Sequence, residues 1–136
     1  MQSDFDERLQ RGTRHLQALG LTETPELITR LRREHPALAD HIVAFTFGDI
    51  YIRETLTTTQ RQLVTLGCLT ALGDTQAQLR AHATLSLAAG MTGEQIREAV
   101  LHAGIYAGFP RAISASLAIT PVLEDAPSRD DQERPQ

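Results

Sequence analysis

Apolar side chains recur along this chain at the three- and four-residue spacing of helices, and turn residues interrupt them often. The clearest case is Ile96, Val100, Leu101 and Ile105, preceded by Thr92-x-x-Gln95, the pattern of a reciprocal helix cap. A helix opening at Thr92 and burying those four residues is therefore predicted. Upstream, Thr58 to Leu72 is apolar on most faces, through Leu63, Val64, Leu66, Cys68, Leu69 and Leu72, and reads as the central buried helix. Gly73-Asp74 closes it and opens the next helix, which runs to Gly90 through Leu79, Ala83, Leu85 and Leu87.

The remaining helices follow from their punctuation. Ser3 is placed as the cap of a first helix that ends near Gly20, while Thr24-Pro25 opens a second, which stops before Pro36. A third spans about Ala37 to Phe47. Gly48 to Thr57, with Ile50, Tyr51 and Ile52 together, reads as a structured loop. Gly108-Phe109-Pro110 starts a last helix that ends near Leu123. Glu124 to Gln136 holds two prolines and no large apolar residue, and is expected to be a disordered acidic tail after a helical domain of residues 1–123. The expected fold is all-α, a compact bundle of six or seven short helices. Apolar or small residues on several helix faces between Thr58 and Leu123 leave surface that one copy cannot bury, so a homo-oligomer is expected.

Composition narrows the chemistry. Aromatic residues make up only 4% of the 136 positions, so the core rests on aliphatic side chains and alanine. The net charge of −4 gives no general attraction to nucleic acid or anionic lipid. All 13 basic residues are arginine, which excludes Schiff-base chemistry on a lysine. One cysteine, Cys68, permits neither an internal disulfide nor a Cys-x-x-Cys motif, and its apolar neighbours suggest an inert core thiol. No apolar run is long enough to cross a bilayer, and the polar start Met1-Gln2-Ser3-Asp4 is unlike a secretory leader, so a cytoplasmic protein is expected.

Five histidines are present, none in a metal-ligand pair such as His-x-x-x-His, and no metal site is expected. His82, flanked by Ala81 and Ala83, has room beside it and a pKa suited to proton transfer, although a lone mid-helix histidine also serves as a hydrogen-bonded core residue. Arg53, Arg61 and Arg80 are candidate carboxylate clamps, with surface solvation as the alternative. Glu98 and His102 share a helix face.

Several strings in order resemble the carboxymuconolactone decarboxylase family: Phe47-Gly48-Asp49-Ile50-Tyr51-x-Arg53, Arg61-x-Leu63-Val64-Thr65, Leu79-Arg80-Ala81-His82, Gly90-Met91-Thr92-x-Glu94-Gln95-Ile96-x-Glu98 and Tyr106-Ala107-Gly108-Phe109-Pro110. The resemblance implies a ring-like oligomer, a hexamer or trimer, with active sites near subunit contacts. In the family's peroxidase branch a glutamate precedes two cysteines and a histidine. Here His82 matches the histidine, Thr75 and Gln78 stand at the thiol positions, and Gln62 lies near the expected glutamate, so dithiol chemistry is unavailable. The decarboxylase branch implies cofactor-free loss of carbon dioxide from a small carboxylated lactone.

On that resemblance His82 is assigned proton transfer, and Arg53 and Arg80 the carboxylate or enolate contacts. Glu98 is assigned to orient a histidine or arginine, while Tyr51, Arg61 and Tyr106 line the substrate. Tyr106 with Gly108 and Pro110 also fits a simple break between helices. Glu54 stands where the family commonly has proline, an added negative charge that opposes an anionic substrate. Two other uses of such a fold are isomerisation or cyclisation of a carbonyl metabolite, and non-catalytic binding.

Overall fold

In the computed structural model, residues 2–19 and 26–126 are described, and among them every regular element is helical. The order is α1 (Gln2–Ala18), α2 (Glu26–Glu34), α3 (Pro36–Ile42), a π-helical continuation of α3 over Val43–Ile50, α4 (Thr58–Leu72), α5 (Gln76–Ala88), α6 (Gly93–Ala107) and α7 (Phe109–Glu124). The proposed exits and caps at Gly20 and Thr24-Pro25, and most of the acidic tail, lie outside the described residues. Ser3 falls inside α1 rather than at its cap.

Local chemistry sets most boundaries. At α6, Gln95 N–H donates to Thr92 Oγ1 (3.1 Å) while Thr92 N–H donates to Gln95 Oε1 (2.9 Å), the reciprocal cap read from the sequence. Thr57 and Gln60 cap α4 in the same way. Gly108 ends α6 with φ of +93°, and Pro110 sits in the first turn of α7.

Two apolar clusters hold the helices together. One joins α4 to α7 through Leu66, Leu79, Ala83, Ile96, Val100, Ala115 and Ile119. The other joins α1, α2, the π segment and α5 through Leu16, Ile28, Val43, Phe47 and Leu85. Helix α5 contributes to both, so it carries His82 along the seam between the two halves.

The expected loop from Gly48 is corrected in part, because residues 48–50 complete the π segment and only Tyr51 to Thr57 is irregular. The cause is a crossing with α1. Gly12 and Gly48 meet backbone to backbone: a Cβ on Gly12 would collide with the carbonyl oxygen of Val43, and one on Gly48 with that of Arg8. The Arg8 and Arg11 guanidiniums both bond the Asp49 carboxylate, at 2.9 and 2.8 Å, and hold its pKa below the usual carboxylate range. Hydrogen bonds five residues apart widen the helix there and aim Gly48 and Asp49 together at α1.

Burial on α4 and α6 also differs from expectation. Only Gln62, Leu66 and Thr70 of α4 are buried, whereas Leu63, Val64 and Leu72 are exposed, as is Cys68, which is therefore no core thiol. On α6, Ile96 and Val100 are buried, but Leu101 is 55% and Ile105 64% exposed. With α5 and α7 covering one side of these helices, the opposite stripe of each is left exposed among the described residues. Tyr106 at the end of α6, and Phe109, Ile113 and Leu117 on α7, extend this exposure.

Candidate functional site

Between α4 and α5 lies a polar pair inside an otherwise apolar seam. His82 projects from α5 and its Nδ1 is 3.0 Å from Oε1 of Gln62, a residue with 0% exposure on α4. The residues are 20 apart in sequence, and the turn at Gly73 brings their helices side by side. On the same helix Ser86 Oγ donates to the backbone carbonyl oxygen of His82 at 2.6 Å, a bond to the main chain one turn back.

The charge state of His82 follows from its setting. Burial lowers its pKa from 6.5 to about 4, and no neighbouring charge adds to that effect. At neutral pH the imidazole is uncharged. The Gln62 amide oxygen faces Nδ1, and an amide oxygen can only accept a hydrogen bond.

One turn further along α4, Thr65 shares a 2.9 Å hydrogen bond with the Tyr51 hydroxyl. Gln62 and Thr65 are three residues apart and so lie on adjoining parts of one helix face. The Tyr51 ring packs against Phe47 at 5.0 Å and meets His15 edge-on at 6.5 Å. Burial lowers the His15 pKa, and its Nε2 is buried without a partner among the described residues. The Gln62–His82 pair and the Tyr51–Thr65 pair thus both rest on α4, three residues apart on that helix.

The three candidate arginines occupy different settings. Arg53 and Arg80 are exposed. Arg61 is half-buried, donates from Nη2 to the carbonyl oxygen of Arg53 at 2.9 Å, and keeps a buried Nε with no partner among the described residues. It is the arginine that the fold holds in place, next to Gln62 in the chain. Glu54 is exposed in the same turn.

Glu98 and Tyr106 belong to another part of the protomer. Glu98 and His102 line an open groove of about 630 Å³ between α4 and α6, walled by Leu63, Met91 and Ala99. His82 and Gln62 are not among its lining residues. Tyr106 is 83% exposed, with its ring 5.7 Å from that of His102. Within one protomer, then, His82 meets Gln62 and not Glu98. In the sequence Gln62 stands out only by its place near an expected glutamate, and its pairing depends on a contact between helices that no local pattern announces. Among the described residues no group of three or more His, Cys, Asp or Glu side chains gathers as a metal site, and no helix is long and apolar enough to cross a membrane.

Comparison with known proteins gives a consistent result. The model of the carboxymuconolactone decarboxylase family matches residues 36–120. The chain is 33% identical over 84 residues to a 4-carboxymuconolactone decarboxylase of Acinetobacter baylyi, a match covering 62% of this chain and 62% of that protein. It is 32% identical over 96 residues to a nitrosuccinic acid decarboxylase of Metarhizium robertsii, covering 70% of this chain and 66% of that one. The chain thus spans a little under two thirds of the length of each of these relatives.

Proposed function

Since this chain belongs to the carboxymuconolactone decarboxylase family, we propose that it is a decarboxylase of a small acid, of which a carboxylated lactone such as 4-carboxymuconolactone is the leading candidate. The observation that carries the reading is the largely buried His82 imidazole, its proton affinity lowered by burial and its Nδ1 paired with a buried amide; the reading assigns Nε2 to the substrate. The compounds named for the two relatives are both acids whose loss of carbon dioxide sends an electron pair toward an electron-accepting group. In the lactone that group is the ring carbonyl, reached through the double bond, and in nitrosuccinate it is the nitro group. The second compound supports a wider substrate class that includes nitro acids.

The step needs a proton and a place for negative charge. A carboxylate docked beside His82 raises its proton affinity, so Nε2 takes a proton from solvent as the anion arrives. The bond to the carboxyl carbon breaks, carbon dioxide leaves, and its electron pair spreads onto the accepting oxygen. Imidazolium then returns the proton to carbon and becomes neutral again, so the sum is acid anion plus proton to product plus carbon dioxide. Arg61 is the guanidinium best held to meet the carboxylate or the developing oxyanion. Tyr51 lines the same side of α4 through its bond to Thr65, while Arg53 and Arg80, both solvated, are the further candidates for carboxylate contact. Glu98 and Tyr106 reach a substrate only if a second copy brings the α6 groove to another protomer's His82. The exposed apolar stripe over Leu101, Ile105, Phe109 and Ile113 supports such self-association. No step requires a cofactor.

Purified protein mixed with 4-carboxymuconolactone, and separately with nitrosuccinate, is expected to release carbon dioxide from at least one of them. His82→Ala should lower that rate by roughly 100-fold or more. Release from neither acid, at enzyme concentrations approaching that of the substrate, rejects the reading.

A further inference from the structure

Gln62 is fully buried in the second turn of α4, where its amide has exchanged water for protein contacts. Only its oxygen has found a partner, the His82 ring 3.0 Å away, and Nε2 has none among the described residues. For packing alone, an apolar side chain of that length would leave no donor stranded. The polar group is therefore explained by what it does to His82. An amide stays uncharged at every pH, so it orients an imidazole without favouring the protonated ring, whereas a carboxylate in the same place would attract and stabilise the positive form.

Most charged groups on the helices packed against α5 are engaged elsewhere or solvated, and Arg32 of α2 is half-buried. Arg30 and Arg33 of α2 pair with Glu34, Arg61 of α4 with the carbonyl oxygen of Arg53, and Arg111 of α7 with that of Leu72. Arg80 on α5 and Glu94, Arg97 and Glu98 on α6 are exposed. None of them contributes to the lowered proton affinity of His82, which burial alone produces.

Resting on the decarboxylase reading for the role of Nε2, we propose that Gln62 is a positioning residue: it holds His82 as the neutral Nδ1–H tautomer, so that Nε2 gains a proton only when an anionic ligand arrives. Turning the amide over would put the ring hydrogen on Nε2 and strand Oε1 instead, which makes the tautomer the property to measure.

Long-range proton–nitrogen correlation spectra of the full chain, labelled with nitrogen-15 at histidine, read that tautomer directly across pH 3.5 to 8. Wild-type His82 is expected to carry hydrogen on Nδ1 at neutral pH and to titrate below the ordinary histidine range. Gln62→Glu should raise its proton affinity tenfold or more, and Gln62→Leu should release the tautomer toward Nε2–H while the helical circular dichroism is kept. An Nε2–H tautomer in the wild type overturns the proposal, and so does an unchanged titration in Gln62→Glu, even if Gln62→Leu does not fold. These spectra need no substrate. The expected spectra together with no carbon dioxide from any acid tried would therefore count against the decarboxylase reading and leave the pairing of Gln62 with His82 standing.

Discussion

Lowering the pH from 7.5 to 5 should cost the folded protein about 2 kcal/mol through His82 alone. In the folded state burial takes this group from 6.5 to about 4, while the unfolded chain regains the ordinary value. Between those two values the unfolded chain binds a proton that the folded protein does not, so stability rises with pH across that window. The contribution is complete above about pH 6.5, falls as the pH drops, and levels off below about pH 4. At about 1.4 kcal/mol per pH unit the full window is worth about 3 kcal/mol, of which about 2 has been lost by pH 5. Urea titrations followed by far-ultraviolet circular dichroism, at one protein concentration, measure the loss in the wild type and in His82→Gln. His15 is also lowered by burial, and Asp49 and Glu34 by their arginines, but these groups are common to both proteins and cancel in the comparison. Equal losses in the two proteins would refute a desolvated, neutral His82.

Two further outcomes test the packing. Gly48→Ala forces a methyl group against the α1 backbone and should destabilise the protein by about 1–3 kcal/mol or more. Gly67→Ala, in open space on α4, should instead be neutral or stabilising by roughly 0.5–1 kcal/mol, and thermal melts that rank the two alike would contradict the close crossing. Leu101→Glu places a charge on the exposed stripe of α6, and size-exclusion chromatography should show an oligomer for the wild type and a monomer for the variant. A monomeric wild type would remove the proposed self-association.

Where a signal is carried by neighbours in the chain, the sequence sufficed. The Thr92–Gln95 cap, the stop at Gly73 and the Gly108–Pro110 break each fall within a residue or two of the observed boundaries, because hydrogen bonding over three or four residues decides them. The expected start of α4 at Thr58 coincides with the observed one, and the Thr57–Gln60 cap that fixes it carries the same four-residue pattern. His82 could be singled out by residue type and by its alanine neighbours.

What tertiary structure decided is which face of each helix finds a partner. Leu63, Val64, Leu101 and Ile105 look like core residues, yet hydrophobicity is not directional, and only the placement of α5 and α7 leaves them outside. The π segment exists because Gly12 and Gly48, 36 positions apart, let two backbones touch while Asp49 reaches Arg8 and Arg11. The neutral state of His82 likewise depends on water being excluded by helices distant in sequence, and its orientation on an amide 20 residues away. Desolvation and hydrogen-bond geometry belong to the packed ensemble of atoms, and a one-dimensional pattern holds neither.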